Sequence, residues 1–276
     1  MLSPGSPIAA ILSKASIENK NLPVSGLDRS ILCLAALLWT SRVVAGDAPL
    51  DALKQAYPNA IARIDGNAVV FRDGARMEAG ADDPARSFDA LIAHANLRDM
   101  FRLAYPKGAP PAQPKENFDP GRFRDKAFFD RLYGDCRKGE VERRLVAVTW
   151  LAKSWGRTVT FAPEAAAALG AVSAEIDAMP PSIRRAAYPT AGTYACRGVA
   201  DRGQPSMHAY GAAIDLNLDY SYYWLWDSHG KGAPHWRNRM PREIVDAFER
   251  HGFIWGGRWY HYDTMHFEYR PELLKP

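Results

Sequence analysis

The chain has 276 residues, 47% hydrophobic and 24% charged, a globular composition that excludes a mainly disordered, collagen-like or fibrous protein. Its 35 basic and 31 acidic residues leave a net charge of +4 with no basic block, a poor match to nucleic acid as partner. The only long apolar run, Ile31 to Trp39, is about half the ~20 residues a membrane span needs, which excludes a multi-span membrane protein.

Residues 1–45 read as an N-terminal extension and signal peptide. Arg29 precedes an apolar stretch from Ile31 to Leu38, and Val43-Val44-Ala45 offers small residues for cleavage before Gly46. Arg42 and the long polar segment before Arg29 depart from that pattern, and a short buried helix or a single anchor is the competing reading. Cleavage would leave a charge of +2 and no stable membrane span, in the periplasm or outside the cell. It would also leave only Cys136 and Cys196, which in an oxidising compartment either pair or remain buried thiols.

Residues 46–120 read as a small N-terminal region ending in a Pro-rich linker. Pro49 to Tyr57 predicts a short helix, and Ala68 to Phe71 a strand that meets the hairpin signal Asp73-Gly74. Phe88 to Tyr105 carries apolar residues at helical spacing, and Pro106 to Pro120 holds five prolines. Residues 121–276 read as the main domain. Helices are predicted over Phe123–Tyr133, Pro163–Ala178 and Pro241–His251. Leu145–Leu151 and Thr158–Phe161 read as a hairpin, and Ala212–Leu218 and His266–Tyr269 as two further strands. Without regular βα alternation, the expected fold is α+β, with a central, largely antiparallel sheet and flanking helices.

Two segments carry the chemistry. In Ser206-Met-His-Ala-Tyr-Gly-Ala-Ala-Ile-Asp215, strand alternation sets Ala213, Asp215 and Asn217 on one face and Ile214 and Leu216 on the other. A carboxylate among core-type residues is costly unless a cation meets it. In Asp263-Thr-Met-His-Phe-Glu268, His266 and Glu268 share a face and Phe267 points away. Two imidazoles and a carboxylate (His208, Asp215 and His266) make a three-ligand zinc site, and Asp263 is the nearby free carboxylate that can act as base. Seven histidines in one chain also produce chance pairs, so spacing alone leaves His208 and His266 readable as ordinary core or surface residues.

The paired segments resemble the zinc D-alanyl-D-alanine carboxypeptidase family, which includes D,D-dipeptidases and L-alanyl-D-glutamate endopeptidases and shares a hedgehog-like fold. Ser206, His208, Gly211, Ala213 and Asp215 match its first motif, and Asp263, Met265, His266, Phe267 and Glu268 its second. Gly256-Gly257-Arg258-Trp259 fits the family's lead-in, and the likeness covers roughly residues 145 to 270. The resemblance implies one Zn2+ on His208, Asp215 and His266, with Asp263 as base and Arg197 on the oxyanion or the substrate; Arg202 and Arg184 compete for that last role. Ser206 and Glu268 would support the ligands. The implied activity is hydrolysis of D-Ala-containing or stem-peptide bonds of peptidoglycan. A non-catalytic, zinc-containing cell-wall binding module is the alternative. His229 and His235 read as part of a Gly-rich loop, and His261 as an exposed loop histidine. The aromatics Tyr220, Tyr222, Tyr223, Trp224 and Trp226 read as core rather than groove.

Overall fold

The computed structural model describes residues 47–198, 205–228 and 232–274. The expected signal segment, Arg202 and His229 lie outside the described residues. Helix α1 (Ala48–Ala56) starts where the Asp47 side chain accepts from the Leu50 amide and Pro49 occupies the first turn; it buries Leu50 and Leu53. Strands β1 (Ile61–Asp65), β2 (Ala68–Phe71) and β3 (Arg76–Glu78) follow as an antiparallel meander around the Asp73-Gly74 turn.

The predicted helix over Phe88–Tyr105 is shorter in the structure. Helix α2 spans Phe88–His94, and Ala95 turns to extended backbone. Asn96 and Asp99 then exchange side-chain-to-backbone bonds, each 3.0 Å, which offer the chain an alternative to helical continuation. The Pro-rich stretch that follows forms no helix or strand. Helix α3 (Lys126–Tyr133) is capped by Asp125, whose carboxylate accepts from the Phe128 amide at 3.0 Å.

Strands β4 (Val146–Trp150) and β5 (Arg157–Phe161) form the expected hairpin, followed by α4 (Pro163–Asp177) and α5 (Pro181–Arg184). Next come β6 (Ala213–Asp215), α6 (Trp224–Ser228), α7 (Arg242–Arg250), β7 (Phe253–Trp255) and β8 (His266–Tyr269). The strand predicted to run to Leu218 stops at Asp215, because the Asn217 side chain caps the next 3-10 turn through the Asp219 amide at 3.0 Å.

The fold class is α+β, but in place of one central sheet the described residues form three small antiparallel ones: β1-β2-β3, β4-β5 and β6-β8-β7. Strands of three to five residues with capped turns between them cannot extend a ladder across the molecule. Two clusters of buried side chains flank the third sheet. One joins α4 and α7 to Ile214, Leu216, Trp255 and Phe267, with the Phe248 and Phe267 rings stacked 4.0 Å apart. The other joins Leu50, Leu53, Val69 and Phe71 to Phe128, Phe129, Met207, Tyr210 and Ala213. Residues 47–133 therefore pack as a collar on the first motif and share its core. Among the described residues no helix is long and apolar enough to cross a membrane.

Candidate metal centre

Asp215 and His266 meet because β6 and β8 pair antiparallel with Asp215 opposite His266, Ile214 opposite Phe267 and Ala213 opposite Glu268. Ile214 and Phe267 enter the apolar cluster with α4 and α7, while the alternate residues face the other way. His208 arrives from a 3-10 turn (Met207–Tyr210) that Ser206 caps by accepting from the His208 amide. Gly211 ends that turn at φ 65°, and a Cβ there would lie 2.5 Å from Leu145 Cδ2, so both conformation and space call for glycine.

The result is a triangle. His208 Nε2, Asp215 Oδ1 and His266 Nδ1 are 3.1 Å from one another along each edge. Each histidine has its other nitrogen committed elsewhere: His208 Nδ1 is 2.7 Å from the Thr193 carbonyl, and His266 Nε2 is 2.9 Å from Glu268 Oε2. These acceptors require N–H on those nitrogens, so in the neutral form that a metal ligand takes, lone pairs face Asp215 on the other two. Three electron-rich atoms facing one another repel unless a cation sits among them. Ligand atoms about 2.0–2.1 Å from a tetrahedral zinc ion lie about 3.3 Å apart, close to the edges seen here. The donor set therefore fits a divalent ion of borderline softness, and one His/Asp/His group of this kind is present among the described residues.

Buried charges brace the triangle. Glu268, fully buried, accepts from Arg124 Nη2 at 2.5 Å and from Arg270 Nη1 at 3.2 Å. Arg270 in turn donates to Glu272 at 2.5 Å, and Tyr57 on the collar donates to Glu272 at 2.7 Å. Burial alone would raise the Glu268 pKa, but Arg124, His266 and Arg270 outweigh it and hold the carboxyl well below its usual range. The same holds for Asp215, where burial is overcome chiefly by His208. For His266, burial opposes the charged form, while its bonds to Asp215 and Glu268 push the pKa up to about 10, so that without an ion Nδ1 holds a proton that a bound cation would displace.

The site opens into a cavity of about 210 Å3, lined by the three donors together with Asp263, Arg197, Arg122, Arg124, Ser206, His261 and several aromatics. Asp263 Oδ1 is buried and has no hydrogen-bond partner. Burial and the neighbouring Asp215 charge raise the Asp263 pKa to about 7. Arg197 is exposed at the rim, next to the disulfide that joins Cys136 and Cys196. Arg184 instead faces backbone carbonyls of Asp177 and Met179 and lines no part of this cavity.

Residues 200–269 match a family model described as D-alanyl-D-alanine carboxypeptidase. The resemblance carried by the two motifs is thereby shown for that segment, a peptidase family segment that contains all three donor residues and Asp263. No curated protein and no solved structure matches the chain.

Two sequence expectations change. His261 is buried, 8% exposed, with its ring edge-on to Trp224 at 4.7 Å and its Nδ1 2.7 Å from Asp119. The aromatic run divides: Tyr220 packs against the core, while Tyr223, Trp224 and Trp226 line the cavity, Trp226 being 53% exposed. His235 accepts from the Tyr262 hydroxyl through its carbonyl at 2.8 Å. Asp119, Arg122 and Arg124 were not singled out from sequence. Their signal was faint: an aspartate at the end of a proline-rich stretch and two arginines just beyond it, in no recognised spacing.

Proposed function

We propose that this protein is an exported zinc peptidase that hydrolyses D-Ala-containing or stem-peptide bonds of peptidoglycan. The observation that carries the proposal is the 3.1 Å triangle of donor atoms that shares its cavity with the buried, unpartnered Asp263 Oδ1. The family match to residues 200–269 supports the substrate class. The Cys136–Cys196 disulfide supports an oxidising compartment such as the periplasm or the cell exterior.

His208, Asp215 and His266 would hold the ion, which when bound polarises the scissile carbonyl and makes water nucleophilic at neutral pH. Asp263 accepts the proton of the attacking water and delivers it to the departing amine. Its raised pKa places proton transfer in both directions within reach near neutrality. Arg197, at the rim of the same cavity, supplies a permanent positive charge for the developing oxyanion. Trp224 and Trp259 narrow the cavity and limit water around the reacting groups.

A zinc-containing cell-wall binding module remains the second reading. It gives no reason for an unpartnered, buried Asp263 carboxylate oxygen beside the donors, which is the feature that favours turnover. Mass spectrometry of purified muropeptides incubated with the zinc-loaded chain decides between them. Chelator-sensitive release of D-Ala or of cleaved stems is expected. Intact muropeptides, with zinc bound stoichiometrically, would favour the binding module.

A further inference from the structure

The cavity has a second polar wall that the reaction above does not use. Asp119, at the end of the Pro-rich stretch and outside the family match, is fully buried. Its Oδ1 accepts from the His261 amide at 3.1 Å, and its Oδ2 lies 2.7 Å from His261 Nδ1 and 3.1 Å from Arg122 Nη1. Burial alone would raise the Asp119 pKa, but the His261 bond and the Arg122 charge overcome it and keep the carboxylate ionised. An ionised carboxylate only accepts, so His261 Nδ1 carries the hydrogen, and in the neutral imidazole the lone pair is then on Nε2. The ring is clamped by Trp224 on one side and by Phe88, stacked at 5.8 Å, on another. It cannot swing away from the cavity it lines.

We propose that Asp119 is a positioning residue that fixes His261 in the Nδ1–H tautomer, so that Nε2 accepts the N–H of the scissile amide. The inference rests on the peptidase reading above and adds a specificity to it. A pocket built to accept an N–H discriminates against a substrate that lacks one, because two lone pairs are then left facing each other. His261 thereby turns the scissile nitrogen so that its own lone pair, which develops as the carbonyl carbon becomes tetrahedral, is free to take the proton held by Asp263.

The test compares two peptides that differ only at the scissile bond, one with the amide N–H and one with oxygen in its place. Both are assayed with the zinc-loaded full chain, the Asp119→Asn variant and the His261→Ala variant. The kcat/KM ratio of amide to ester is expected to fall about 10- to 100-fold in each variant, with bound zinc unchanged. Equal slowing of both substrates would overturn the proposal and leave the peptidase reading intact. Inactivity of the unmutated protein on both substrates would instead overturn that reading. Nitrogen-15 NMR of the imidazoles provides a readout independent of turnover. His261 is expected as the neutral Nδ1–H tautomer, shifting toward Nε2–H in Asp119→Asn. Detection of the Nε2–H tautomer, or of the imidazolium at assay pH, in the unmutated protein refutes the assignment even if the Asp119 variant fails to fold.

Discussion

The segment matched by the family model and the collar before it contribute to the site in opposite ways. Residues 205–269 supply every atom of the donor triangle, and short-range rules govern them: strand alternation, one left-handed glycine and one serine cap. Residues 47–133 supply no donor, yet Arg124 holds Glu268, which holds His266, while Tyr57 and Asp119 anchor Glu272 and His261 nearby. Chemistry in this protein is concentrated in one stretch of chain, while the rigidity that the chemistry requires comes from another.

The largest effects are expected in the matched segment. Replacing His266 or Asp215 by Ala removes a corner of the triangle; bound zinc, measured by elemental analysis after dialysis, should drop to background and hydrolysis with it. Asp263→Asn should separate metal from turnover, with zinc retained and kcat lowered by about 10²- to 10⁴-fold. Retained turnover in that variant would remove Asp263 from the reaction. Smaller effects are expected when the collar is cut. Arg124→Met leaves Glu268 with Arg270 as its remaining buried cation, and zinc affinity should weaken about 10- to 100-fold in a competition titration. An unchanged affinity would mean that the collar only packs.

The smallest effect is a shift in pH. Asp263 must be ionised to accept a proton, so kcat/KM should rise with pH on its acid side, with a midpoint at or below about 7, because a bound cation can only pull that value down. In the metal-free protein the sign for stability is the reverse. The folded-state pKa lies above the ordinary carboxyl value, so this group's contribution is present below about pH 4 and lost as pH rises toward about 7. Compared with Asp263→Asn in chelator, the unmutated chain should thus lose relative melting temperature across that interval.

This asymmetry also explains what could be read from the sequence. The faces of Asp215, His266 and Glu268 followed from a period of two; the helix expected from Pro49 begins at Ala48, whereas the one expected from Phe123 begins only at Lys126, behind the Asp125 cap. The Asp119–His261 and Arg124–Glu268 pairs link residues 142 and 144 positions apart, and no local pattern encodes which distant groups will be neighbours. His261 read as exposed because it falls between predicted strands; Trp224 and Phe88, which cover it, come from elsewhere in the sequence. Strand β7 escaped notice because three buried residues in a row carry no alternation, and β1 because its exposed positions resemble a loop. The single central sheet was inferred from the lack of βα alternation, which says nothing about which strands share hydrogen bonds.

The pairing of Asp215 with His266 has one more consequence. Sliding β6 past β8 by a single position would set Phe267 beside Asp215 and turn the imidazole into the apolar cluster. A divalent ion held by the triangle would therefore stabilise only one of the alignments the two short strands can try, and uptake of the ion would favour the correctly aligned chain.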